Sequence, residues 1–314
     1  MIIKCESLET CTTSNEQKCW IFFAKIMLVI VNRMWIINAP NIHAMKKIIC
    51  PVDFSNAAQN AIAYAAKLSK ATGSILKLVN VQPSHAAISD TDHQLGIGAV
   101  EARLSELSEE VRRFLKISCE SEVIESPSLL SDTIARSSSD ADLIVMGSHG
   151  IENLVEFFRG SNTYHAIRRS KVPVMLIPEG CIYSEIRNVV YAYDYLHERK
   201  LPLRQIKSFM SSLSCDVTVL QVNEEAISED VNEGMKELQY IISEEWKEED
   251  TIFRFDSIRS SDIAPAINSY IHRNESDVLA LCTTHRNFIQ EMFHKSVIKT
   301  ISEIANYPVL VFHE

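Results

Sequence analysis

The sequence predicts an α/β protein made of two tandem open parallel five-stranded sheets with helices on both faces. Three observations carry that expectation. From residue 46 onward, short apolar runs alternate with segments of helical periodicity, the pattern of strands joined by crossover helices. The second half repeats the first at fixed offsets. The chain has 314 residues, and at roughly 150 per domain that makes about two domains. A composition of 46% hydrophobic and 23% charged residues excludes disordered and fibrous architectures.

The elements of the first half follow in order. Ile48–Val52 is a short apolar run ending at Asp53, and Ala57–Thr72 carries apolar residues at helical spacing before Gly73 stops it. Ile75–Val81 reads as the second strand. Val100, Leu104, Leu107, Val111 and Leu115 recur every three or four residues, which is one face of an amphipathic helix and core rather than a binding stripe. Strand-like Ser121–Glu125, helix-like Leu129–Ser137, strand Leu143–Met146, helix Thr163–Arg169 and strand Val174–Ile177 complete a five-strand series.

Subtraction fixes the register of the repeat. Asp142 in ADLIVMGSH and Asp277 in SDVLALCTTH stand 135 apart, as do Pro173 and Pro308. Asp53 and Asp194 stand 141 apart, as do Val81 and Val222. One copy covers 45–180 and the other 186–314, joined by the short linker Glu179–Ser184 and expected to pack as a pseudo-dimer. The last strands, Val174–Ile177 and Val309–Phe312, are candidate edges for pairing within the chain.

Residues 1–44 match neither copy. The apolar run over 20–37 is broken by Lys25, Asn32 and Arg33, short of the ~20 uninterrupted apolar residues of a membrane span. No small-residue cleavage site follows it, and the sequence expects no membrane association. Met45 opens MKKIICPVDFS, a start-like sequence leading into a strand, so an over-extended reading frame is the preferred account of residues 1–44, ahead of a weak anchor or a poorly ordered tail.

The 31 Lys and Arg against 41 Asp and Glu give a net charge of −10, which leaves no broad basic surface for a nucleic-acid backbone. The eight Cys have no CxxC spacing, which points to reduced thiols and a cytoplasmic protein.

One spacing carries chemistry. The strand Leu143–Met146 runs into Gly147, Ser148, His149 and Gly150, and Gly160 and Ser161 follow before a helix. Three of the eight glycines thus fall within fourteen residues. Glycine at such positions lets peptide N–H groups approach an anion without a Cβ in the way. Ser161 stands where an N-cap would, so its hydroxyl and the following N–H groups suit a further phosphate.

This G-x2-G-x9-G-S pattern, with a first strand closing on Pro51, Asp53 and Ser55, resembles the universal stress protein family in its tandem two-domain form. The resemblance spans residues 46–314. It implies strand order 3-2-1-4-5 in each sheet and ATP, or AMP or ADP, bound where the order reverses, with Mg2+ on the phosphates. Open α/β sheets bind ligands at that switch point on general grounds. By the same resemblance Pro51, Asp53 and Val81 face the adenine and ribose, Met146 and Gly147 flank the ribose, and Gly150, Gly160 and Ser161 hold the phosphates. Read without it, Asp53 is a helix N-cap.

The second copy has lost the device. The gap-free register puts Cys282 at the place of Gly147, His285 at Gly150 and Lys295 at Gly160, and keeps only Ser296 for Ser161. Each replacement adds a Cβ and restricts the backbone, so one nucleotide site is expected, in the first copy. Cys282 and His285 have no second ligand pair at zinc spacing. No H-E-x-x-H, G-x-S-x-G or Walker lysine occurs, so neither a catalytic apparatus nor fast ATP hydrolysis is expected, slow hydrolysis remaining compatible. The leading expectation is an ATP-binding stress-response regulator that is not an enzyme. The alternatives are an interaction module of the same fold that binds no nucleotide and, third, an adenylating or flavin-binding enzyme. The stress signal, the downstream partner and homodimer formation stay open. Mass spectrometry of the natively expressed protein is expected to find its N-terminus at Met45, and an intact peptide from residues 1–44 would contradict that.

Overall fold

The computed structural model describes residues 45–83, 90–126, 140–148, 170, 172–193, 202–223, 235–236, 238–240, 242–243, 252–282 and 307–312. The first half contains β1 (Lys47–Pro51), α1 (Asn56–Thr72), β2 (Ile75–Pro83), α2 (Asp90–Leu115), β3 (Cys119–Ser126), β4 (Leu143–Ser148) and β5 (Val174–Pro178). The second contains β6 (Asn188–Ala192), α3 (Leu203–Leu213), β7 (Asp216–Asn223), β8 (Phe253–Arg259), α4 (Ile263–Arg273), β9 (Val278–Cys282) and β10 (Val309–Phe312). The helices expected at Leu129–Ser137 and Thr163–Arg169 lie outside the described residues, as does the run over 20–37. Among the described residues, no helix is long and apolar enough to cross a membrane.

Local chemistry explains the boundaries. α1 begins at Ser55, whose Oγ accepts the Ala58 N–H at 3.1 Å, and ends at Gly73 with φ 71°, the left-handed turn that glycine enters without a Cβ penalty. Its buried face includes Ala61, Tyr64, Ala65 and Leu68, the spacing of a helix laid on a sheet. On α2, Leu104 is buried and Leu107, Val111 and Leu115 pack against the same core, so the stripe is core from Leu104 onward, while Val100 is half-buried.

The two expected sheets are one. The ten strands run β3-β2-β1-β4-β5-β10-β9-β6-β7-β8. Each half keeps the order 3-2-1-4-5, and all its strand pairs are parallel. The halves meet where β10 pairs antiparallel with β5, Leu310 opposite Met175. The physical reason is the edge: β5 and β10 are buried along their whole lengths, and an apolar strand with unpaired backbone groups takes the nearest partner. The two candidate edge strands are those that pair.

One core lies on each face of this sheet, and each draws on both halves. Ile48, Val145 and Ile177 share a core with Tyr191, Ala280 and Leu310. Ile144 and Leu176 share the opposite one with Val190, Leu279 and Val309. On the first face the Met45 N–H donates to Ser212 Oγ of α3 at 2.7 Å. The linker is held along α1: Asn60 Nδ2 donates to the carbonyls of Pro178 and Cys181, and Tyr64 meets Tyr183 edge-to-face with ring centroids 5.0 Å apart.

Cys50, Cys119, Cys181 and Cys215 are buried free thiols. Burial pushes Cys119 and Cys181 up to about 11 and Cys215 up to about 12, so they stay protonated and inert at neutral pH.

The repeat also recurs in its hydrogen bonds. Asp142 Oδ2 accepts the N–H groups of Lys46 at 2.7 Å and Lys47 at 3.0 Å. Asp277 Oδ2 accepts those of Arg187 at 2.8 Å and Asn188 at 2.9 Å. The offsets are the 135 and 141 of the sequence. A charged acceptor with two backbone donors is worth more than a neutral pair. Asp142→Ala and Asp277→Ala are each expected to lose about 1–3 kcal/mol in urea denaturation, and an unchanged midpoint in either variant would contradict the role.

Candidate functional site

The Asp142 clamp ties β1 to β4 at their amino ends, with the Asp142 N–H returning to Lys47 O at 2.9 Å. The register then runs Ile48 to Leu143 and Ile49 to Ile144 and stops. On the flanks pairing continues, β1 with β2 as far as Pro51 opposite Val79 and β4 with β5 as far as Ser148 opposite Pro178. The central strands therefore part at their carboxyl ends. This is the switch point, because β1 leads to β2 on one side while β4 and β5 lie on the other.

The parallel strands bring several expected residues to this one end of the sheet. Pro51 and Asp53 end and follow β1, Val81 lies near the end of β2, and Met146 and Gly147 lie near the end of β4. Gly150, Gly160 and Ser161 lie outside the described residues, as do His149 and Asp194.

Asp53 is exposed and is not the helix cap, which is Ser55. Its Oδ1 accepts the Ser55 N–H at 2.9 Å, an Asx turn that aims the carboxylate. The preceding peptide is fixed from β2: the Val52 N–H donates to Val79 O at 2.8 Å, and the buried Asn80 Nδ2 donates to Val52 O at 2.7 Å. Gln82 Nε2 in turn donates to Asn80 Oδ1 at 2.6 Å. Sequence reasoning missed Asn80, although an amide inside the apolar run KLVNV was the available signal.

Gly147 has a packing reason that the sequence reading did not give. A Cβ there would stand 2.2 Å from the Ala57 carbonyl oxygen and 2.4 Å from its carbon, far inside contact distance. Its bare Cα lets the first turn of α1 close onto the end of β4.

The second half has the same parting of central strands, and aromatic side chains pack in the core on one face of its sheet. β6 and β9 pair one residue further, to Tyr191 opposite Ala280. Tyr191 and Tyr193, both buried, hold the places of Cys50 and Val52 at the offset of 141. The Tyr191 ring lies 6.1 Å from that of Tyr193 and 6.3 Å from that of Phe312, and Phe209 of α3 meets Phe312 edge-to-face at 6.4 Å. Cys282, at the place of Gly147, is buried.

The arrangement defines a class: a duplicated open α/β protein in which each half has a switch point where its central strands part. Residues 45–178 match the model of the universal stress protein family. No curated protein matches the chain in sequence. A universal stress protein from Archaeoglobus fulgidus shares the fold with a TM-score of 0.62 at 17% identity, over 85% of this chain and 98% of that one. A universal stress protein described as putative, from Pseudomonas aeruginosa, is similar at 14% identity with a TM-score of 0.49, over 87% of this chain and 94% of that one.

Gly147→Ala is expected to displace the first turn of α1 and cost about 1–3 kcal/mol in chemical denaturation. Unaltered stability would show that the contact with Ala57 is not close.

Proposed function

We propose that this chain is a tandem universal stress protein that binds one ATP, or AMP or ADP in its place, in the crevice of its first half, and that it acts as a stress-response regulator rather than an enzyme. The observation that carries the reading is the contrast between two equivalent switch points in one sheet. The first parts after Ile49 and Ile144, carries Gly147 near the end of β4 and presents an exposed carboxylate at Asp53, while the second pairs one residue further, to Tyr191 and Ala280, and carries the buried Cys282 in the glycine's place.

In this reading Pro51, Asp53 and Val81 contact the adenine and ribose. Asp53 supplies a charged acceptor for the amino group or a ribose hydroxyl, with Met146 and Gly147 beside the sugar. Gly150, Gly160 and Ser161 present backbone N–H groups and a hydroxyl to the phosphates, with Mg2+ as their counterion. The second half serves as the structural or regulatory member of an intramolecular pseudo-dimer. Reduced thiols buried at Cys50, Cys119, Cys181 and Cys215 fit a reducing compartment, the cytoplasm.

Calorimetric titration tests the reading. The wild type is expected to bind one equivalent of ATP, and Gly160→Lys, which copies Lys295 of the second half, to abolish binding while the circular dichroism spectrum is retained. Binding that survives Gly160→Lys overturns the phosphate assignment. A wild type that resists millimolar nucleotide favours the interaction module instead, and multiple turnover of labelled ATP favours an enzyme.

A further inference from the structure

Phe54 stands between the candidate nucleotide contact Asp53 and the helix cap Ser55, and its φ is 63°. That is the left-handed region, which a residue with a Cβ enters at a cost. The turn at residue 54 is what returns the Ser55 N–H to Asp53 Oδ1 at 2.9 Å, so the direction of the Asp53 carboxylate depends on the conformation of the residue after it.

What holds that conformation comes partly from another element. The Phe54 ring packs against the core on the α1 side of the sheet. Arg103 of α2 places its guanidinium carbon 4.2 Å from the ring centroid, a cation–π contact. Arg103 is anchored through the next residue, Leu104, which is 1% exposed in that same core. An aromatic ring gripped between a core and a guanidinium is a costly way to build a surface turn, since glycine would adopt the same φ unaided.

We propose that Phe54 and Arg103 are positioning residues for Asp53. The clamped ring keeps residue 54 left-handed, and this aims the carboxylate so that it discriminates among nucleosides by the donors they offer, the 6-amino group of adenine or the ribose 2′-hydroxyl. The proposal rests on Asp53 being a nucleotide contact.

Two readouts separate it from that premise. Amide hydrogen exchange at Ser55 reports the turn without any ligand, with the Ala58 amide, bonded to Ser55 Oγ at 3.1 Å, as a control for the helix start. Calorimetry with ATP, inosine triphosphate and 2′-deoxy-ATP reports discrimination. The wild type is expected to protect the Ser55 amide and to prefer ATP over at least one analogue by about tenfold. Phe54→Val, whose β-branched side chain shuns the left-handed region, is expected to lose both the Ser55 protection and the preference while Ala58 stays protected. Phe54→Gly retains more of both than Phe54→Val. Arg103→Met, which keeps the stem and removes the charge, reduces the preference by about two- to fivefold, and it carries the test if Phe54→Val does not fold. Unchanged Ser55 exchange and undiminished preference in Phe54→Val or Arg103→Met would overturn the proposal. If the wild type binds no nucleotide, the premise about Asp53 falls, while Ser55 exchange still decides whether Phe54 orients the carboxylate.

Discussion

A carboxylate at the foot of a strand, holding two backbone N–H groups of its neighbour, sets the geometry of both halves. Asp142 and Asp277 each tie the central strands together at their amino ends. Strands fixed at one end and leading to opposite sides of a sheet separate at the other, so the crevice follows from the clamp together with the reversal of strand order. Everything proposed about ligand binding depends on what each half then places in the gap.

The two halves answer that question differently on one scaffold. In the first, Gly147 admits the start of α1. In the second, Cys282 stands in the glycine's place, and Tyr191, Tyr193 and Phe312 pack in the core on one face of the sheet. The antiparallel seam between β5 and β10 joins them into a single sheet with a continuous core on each face, and α1 spans from the mouth of the crevice at Ser55 to the linker it grips through Asn60 and Tyr64.

The strands and helices that residue types dictate locally were legible in the sequence. Gly73 and the stripe through Leu104 mark their elements without tertiary help, and the offsets of 135 and 141 recur in the hydrogen bonds of the Asp clamps. The single sheet was harder to see, because subtraction aligns the copies and says nothing about which strand lies against which; only the apolar character of Val174–Ile177 and Val309–Phe312 hinted at the seam. Asp53 was ambiguous between cap and ligand because both need an acceptor at a strand end, and the Ser55 hydroxyl resolved the cap. The packing of Tyr191 and Tyr193 depended on which face they present, and the left-handed turn at Phe54 on a guanidinium 49 residues away on α2. Neither is a property of the local sequence.

The central claim is that one switch point receives a nucleotide and its duplicate does not. A crystal structure of the protein grown with a non-hydrolysable ATP analogue tests it most directly. The account predicts nucleotide density between the carboxyl ends of β1 and β4, with the base or ribose within hydrogen-bond reach of Asp53, and none between β6 and β9. Density in the second crevice, or an empty first crevice at saturating analogue, would contradict it.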